Sequence, residues 1–295
     1  MLKKIICAIL VLSMMISCTL IVSATDVDDL DNIRNRMIAY GMPEKIVNSL
    51  PDSEVLKYAN IASNSVEKHY YELEENTSEL QSINSDSLSD SRVSCVVTEI
   101  TEEECMAALN QNAVQPRGEI KKSYMAVTID AVPIEGRRYL ISATYDWLST
   151  PIFKIKDYFA LTVHDSMVLI PDTVYTLEQN DYVSIYSGST IKTNSWEDSL
   201  YSSGIGGHCM IMHWMPDDDY TTYFNFRGYM SFEAEVAEVG PTGVVNSAAY
   251  ITYAHKTLLP AIGFSVSLPL SASASISPAY AFDFFYDMKN FTHEE

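Results

Sequence analysis

The sequence predicts a mainly β protein: an antiparallel β-sandwich or barrel-like domain preceded by a small N-terminal helical segment. Three observations carry this. From Val93 onward apolar residues recur with a period of two. Gly, Pro, Asn or Asp sits in most of the gaps between those runs. Before residue 75 the apolar spacing is instead three and four. Seven or more strands with little helix must bury one face of each sheet, which a sandwich or a barrel achieves.

Residues 1–24 read as a secretory signal peptide. Lys3 and Lys4 are its basic end, residues 5–22 are almost wholly apolar, and Val22, Ser23 and Ala24 form a small-residue cleavage site before an acidic run. A lipidated Cys18 fits less well, because Met15 precedes it and Thr19 to Val22 stays apolar. A retained anchor would sit near the lower length limit for a spanning helix. The expected location is therefore secreted, extracellular or cell-surface. A net charge of −20 repels nucleic acid and anionic membranes and favours cationic partners.

Beyond the signal the cysteines are Cys95, Cys105 and Cys209, too few for a disulfide scaffold. Cys95 and Cys105 lie ten residues apart, which makes them the candidate pair for a local disulfide in an oxidising compartment. Cys209 is expected to be buried.

Residues 25–75 form the expected helical segment. Leu30, Ile33 and Met37 share a face, and Gly41 is a stop signal. Pro43 opens a second helix with Ile46 and Leu50. Pro51 starts a third, whose seam would be Val55, Ala59, Ala62, Val66, Tyr70 and Leu73. Residues 76–92, rich in serine, read as a linker to a β-rich domain over 93–295. Within that domain one short helix is expected after Thr101, where Thr101 and Glu104 have capping-box spacing. Strands are expected around 124–129, 137–147, 158–170, 174–186, 207–214, 220–239 and 247–256.

Residues 202–220 hold His208, Cys209, His213 and the aspartates 217–219. As a strand, 207–214 points Cys209 and His213 to one face but about 13 Å apart, beyond a shared metal or a Cys–His hydrogen bond. Three consecutive aspartates lack the ligand spacing of a calcium loop. Motifs for zinc hydrolysis, a nucleophile elbow or a phosphate-cradling loop are absent, so no catalytic, metal or cofactor residue is assigned. A secreted hydrolase would need residues that converge only in three dimensions.

The better surface lies on 220–239. Phe224, Phe226, Met230, Phe232, Ala234 and Val236 form one expected core face, with Tyr223, Asn225, Arg227 and Tyr229 on the other. Rings beside hydrogen-bonding groups suit a sugar or a peptide, so these four are the candidate ligand-binding residues. An extracellular glycan or protein is the expected partner, and non-catalytic binding outside the cell the expected function.

Residues 262–277, IGFSVSLPLSASASIS, alternate apolar and small or polar residues without one charge. In composition this stretch resembles the amphipathic hairpins of β-barrel pore-forming toxins. That resemblance implies membrane insertion as the alternative function, with Pro269 near the turn. The other expectation is a half-buried strand pair with serines facing water.

Overall fold

The computed structural model describes residues 27–75, 95–112, 122–149, 157–188, 190–197, 200–204, 206–213, 215, 218–237, 243–256, 265–267, 275–277 and 282–294. Residues 1–24, expected to be a signal peptide, and residues 76–92, expected to be a linker, lie outside these residues. Three short helices come first: α1 (Val27–Ala39), α2 (Glu44–Val47) and α3 (Asp52–Leu56). Gly41 stops α1 as expected. It has a φ of 111°, and the Gly41 and Met42 N–H groups donate back to Ile38 and Met37 carbonyls.

The third helix is shorter than its seam suggested, and this is the main correction to the sequence reading. Val66–Glu75 is a strand, β1, paired on one side with β2 (Cys95–Ile100) and on the other with β3 (Lys122–Glu135). The seam spacing fits a helix only by coincidence with a second pattern. Tyr71 and Leu73 enter one core, while Val66 and Tyr70 enter clusters on the opposite face. Partners on both edges override a local helical pattern. The helical segment is therefore tied by β1 into the β-rich part of the chain.

The short helix after Thr101 is α4 (Glu102–Asn112). Its capping box is complete: the Glu104 N–H donates to Thr101 Oγ1 at 3.2 Å, and the Thr101 N–H to Glu104 Oε2 at 2.8 Å. The remaining strands are β4 (Arg138–Trp147), β5 (Asp157–Val163), β6 (Met167–Leu169), β7 (Tyr175–Ser184), β8 (Lys192–Glu197), β9 (Leu200–Gly204), β10 (Gly207–Met212), β11 (Thr221–Val236), β12 (Val244–Lys256), β13 (Ser265–Ser267), β14 (Ser275–Ser277) and β15 (Phe282–Glu294). The expected strand over 158–170 is split into β5 and β6 by a turn at His164.

Two antiparallel sheets pack face to face, so the fold is a sandwich and not a closed barrel. The larger sheet runs β2-β1-β3-β4-β11-β7-β8, with β6 on β11. The smaller runs β15-β12-β5-β10-β9, and β13 pairs with β14 alone. Ile129, Ile141, Phe232 and Val236 from the large sheet meet Phe159, Leu161, Met210 and Ile251 from the small one. On its other face the large sheet presents Val132, Leu140, Leu177 and Tyr229 to Met37, Ile46, Val55 and Tyr58 of the helical layer. Two-sided burial explains why β3 is buried from Ser123 to Val132 without polar alternation.

The disulfide expectation fails on this architecture. Cys105 is a buried free thiol, packed near Tyr70, Tyr124 and Ala126, with Ile100 against the same cluster. Cys95 pairs with Glu75 at the other end of β2, five residues from Ile100, which is roughly 16 Å of strand. A disulfide needs Cα atoms within about 7 Å.

A buried polar web joins helices to sheet. The Tyr58 hydroxyl bonds Ser142 and, at 2.9 Å, Tyr229; the Ser142 hydroxyl donates to Asp130 Oδ2 at 3.0 Å. Asp130 is fully buried, and its Oδ1 has no partner among the described residues. Burial pushes its carboxyl up to about 7, against weaker opposing help from Ser142 and Lys289.

The raised Asp130 value fixes a sign. The folded state holds this proton more tightly than the unfolded chain. The resulting stabilisation is complete below about pH 4 and is lost as pH rises toward 7, by on the order of 4 kcal/mol. Asp130→Asn should flatten that slope and match or exceed the parent at about pH 8, as read by urea unfolding across pH. A second expected outcome concerns Gly228: a Cβ there would lie 2.3 Å from the ring of fully buried Tyr145. Gly228→Ala should therefore cost roughly 3 kcal/mol in the same assay.

Candidate functional site

The four candidate residues on β11 do not share one exposed face, because the strand carries a bulge. Phe224 pairs with Asp181 and Arg227 with Gln179, so β11 spends one more residue than β7 across this step. Asn225 absorbs the extra residue with a φ of 52°, a region that asparagine tolerates better than most. The alternation therefore changes sides. Tyr223 packs against the core between the sheets, while Tyr229 is fully buried under the helical layer. Phe226, Met230, Phe232, Ala234 and Val236 do line the inter-sheet core as expected. Of the four, Asn225 and Arg227 come together at a pocket, and Tyr223 and Tyr229 do not.

That pocket has a volume of about 340 Å³ and is lined by Pro43, Glu44 and Lys45 at the start of α2, by Asp146, Trp147 and Leu148 at the end of β4, and by Asn225 and Arg227. Its floor is an ion network centred on Asp181 of β7. Arg227 Nη2 donates to Asp181 Oδ1 at 3.1 Å, its Nε to Gln179 at 3.0 Å and its Nη1 to the Asn225 carbonyl at 2.9 Å. Lys45 Nζ and Asn225 Nδ2 donate to Asp181 Oδ2, and Thr193 to Oδ1. Asp181 and Arg227 are both buried, so their pairing satisfies two otherwise costly charges. The donors hold the Asp181 carboxyl well below the usual range, more than offsetting its burial.

Asp146 differs. It is half-buried in the pocket wall and its carboxylate accepts no hydrogen bond among the described residues; burial raises its carboxyl, opposed by the charges of Arg227, Lys68 and Lys45. The cations of the pocket are thus committed to Asp181, while the Asp146 and Glu44 carboxyls remain available beside Trp147 and Leu148. Lys45, Asp146 and Asp181 were not legible as site residues. The available hint was Arg227 itself, which needs a carboxylate partner if its strand is central.

The histidine- and cysteine-containing stretch is a strand and turn. Met210 and Met212 enter the core, and His208 lies 5.1 Å from the Phe232 ring. Cys209 is buried, its thiol pushed up to about 12 by burial. His213 Nδ1 bonds Glu178 at 2.7 Å, and Trp196 stacks on its ring. Asp218 accepts the Tyr220 N–H at 2.7 Å in a local turn, and Asp217 lies outside the described residues. Among the described residues no group of side chains could hold a metal ion.

No protein-family model matches the sequence, and no curated protein matches it. Among solved structures, one described as "pH-induced modulation of Streptococcus parasanguinis adhesion by Fap1 fimbriae" is 10% identical, covering 58% of this chain and 79% of that one, with a TM-score of 0.21. A likeness at that level carries no argument about function.

Removing the Arg227 side chain strands a buried carboxylate. Arg227→Ala should cost about 3–5 kcal/mol, and Arg227→Lys should recover only part of it because lysine cannot span the same three acceptors. Because the Asp181 value is depressed, its contribution is present above the unfolded carboxylate value and lost as pH falls. The two variants should therefore converge with the parent in strongly acidic unfolding curves.

Proposed function

We propose that this is an exported, non-catalytic binding protein that engages an extracellular glycan or protein through the pocket around Asn225 and Arg227. The carrying observation is the bulge at Asn225, which is anchored to Asp181 and so presents a fixed polar rim. Free carboxyls at Asp146 and Glu44, with Leu148 and Pro43 beside them, offer acceptors next to apolar surface. A volume near 340 Å³ sits at the small end of ligand pockets, enough for one sugar unit or one side chain of a partner. Export rests on the sequence pattern of residues 1–24, and secreted material should begin at Thr25 when its N-terminus is sequenced.

The test is capture of glycans and proteins by the full secreted chain, compared with a Glu44→Gln/Asp146→Asn double variant. Both positions line the pocket without anchoring Asp181, so the variant should melt close to the parent and lose its captured ligand. Undiminished capture by a folded double variant would remove the pocket from the function.

A second reading, membrane insertion, is favoured by one specific observation. Val266 lies opposite Ile276 in the β13–β14 pair, so Pro269 falls in the segment that joins the two strands, as the sequence suggested. Its flanking strands β12 and β15 pair continuously from Val244–Glu294 to Lys256–Phe282. Residues 257–281 between them contain no charge, and their number would allow two arms of the roughly nine to eleven residues that a spanning strand needs. Among the described residues no helix is long and apolar enough to cross a membrane, which says nothing about strands. Dye release from liposomes by the wild-type chain, abolished by Val266→Asp without a change in melting, would carry this reading. Destabilisation by Val266→Asp without any dye release would place Val266 in a packed interior instead.

A further inference from the structure

Four of the most exposed large apolar side chains gather at one end of the eight-stranded sheet. Tyr186 is 78% exposed, Ile185 67%, Ile191 61% and Tyr220 50%. Ile185 and Tyr186 belong to a single 3₁₀ turn, Ile185–Ser187, directly after β7. Tyr220 directly precedes β11, and the Ile185 N–H donates to its carbonyl at 2.9 Å. The Tyr186 and Tyr220 rings lie 5.4 Å apart at 34°, and a second pair, Tyr182 and Tyr223, lies at 5.8 Å across the same two strands. The β7–β11 ladder, which pairs Tyr182 with Tyr223 and ends at Ser184 and Thr221, together with the Ile185–Tyr220 hydrogen bond, fixes the segments that carry the exposed rings.

Such a patch leaves a few hundred Å² of apolar surface in water. That falls short of the roughly 800 Å² each side contributes to a stable interface between folded proteins, so it suits a short segment. Charge narrows the class. Asp218 and Asp219 are exposed beside Tyr220, and Asp218 is fixed by the Tyr220 N–H at 2.7 Å. Lys192 on neighbouring β8 is outnumbered by them, and the whole chain carries −20. A second copy of this chain, or an anionic membrane, would bring more negative charge to a negative surface.

We propose that this tyrosine patch docks a short arginine- or lysine-rich segment of a partner protein. The cationic heads lie over the Tyr186 and Tyr220 faces, which attract positive charge, and pair with Asp218 and Asp219. Their methylene stems cover Ile185 and Ile191. This surface is separate from the pocket: Tyr220 stands five residues before Asn225, roughly 16 Å along the strand.

The experiment uses the full chain and a labelled peptide of four arginines spaced by glycine and serine, with a glutamate version as its counterpart. Binding is followed by anisotropy at about 0.15 M salt, a screening regime in which diffuse attraction is weak. Tyr186→Ser/Tyr220→Ser should weaken binding about tenfold or more, from two lost ring contacts. Asp218→Asn/Asp219→Asn should weaken it less, and the remote pair Asp29→Asn/Glu103→Gln, which removes the same charge, should leave it unchanged. Melting curves of all three should overlay, since every substituted residue is exposed. Equal loss in the remote pair would reduce the effect to diffuse attraction and overturn the proposal. So would failure of the arginine peptide to bind, undiminished binding by the tyrosine variant, or tyrosine-dependent capture of dextran, anionic vesicles or a second copy instead.

Discussion

Burial of the eight-stranded sheet on both faces is the constraint that organises this molecule. One face must meet the five-stranded sheet, and the other must meet the short helices, or Val132, Leu140 and Leu177 would be left in water. Helices as short as Glu44–Val47 and Asp52–Leu56 have no stability of their own. They persist because Met37, Ile46, Val55 and Tyr58 fill that second face. The helical layer is thus a lid on a sheet, not an independent module.

Placing polar groups under that lid creates the buried webs. Tyr58, Ser142, Tyr229 and Asp130 satisfy most of one another. Glu54 reaches in from the helical side, accepting the Ser231 hydroxyl at 3.0 Å and pairing with Lys57 at 2.6 Å. These bonds fix how the helices sit on the sheet more specifically than apolar contact would. The pocket opens where the lid stops. The start of α2, the end of β4 and the bulge of β11 are three edges that cannot all be covered at once.

Much of this architecture was legible in the sequence, for reasons that can be stated. Period-two runs gave the strands because alternation is a backbone property, and the Thr101–Glu104 cap is a local bond visible in four residues. Where the sequence reading failed, a non-local partner decided. Residues 66–75 fit both periods, and only pairing with β2 and β3 selects the strand. The Asn225 bulge is set by the length mismatch with β7, which no single strand displays, and it moved Tyr223 off the face shared with Arg227. Tyr229 looked like a ligand contact because its neighbours are polar, yet the residues that cover it lie some 170 positions earlier in the chain. Asp146 and Lys45 reach the pocket from two other elements and carried no signal of their own.

The closing strand of the small sheet, β15, is fastened to the opening strand of the large one. Lys289 Nζ donates to the Asn64 carbonyl and to Glu67, each at 2.7 Å, and the Tyr71 hydroxyl donates to Asp287 at 3.0 Å. These partners are separated by 216 to 225 residues of chain. Contacts that distant are the slowest to form, because the intervening chain must be ordered before they reward it. During synthesis β1 therefore gains these partners only once β15 has emerged. Until then β1 is held by β2, β3 and α4, where His69 bonds Glu99, the Tyr70 hydroxyl donates to Glu102 and Lys122 donates to Glu72. The stitch between β1 and β15 is thus among the last parts of the fold to close.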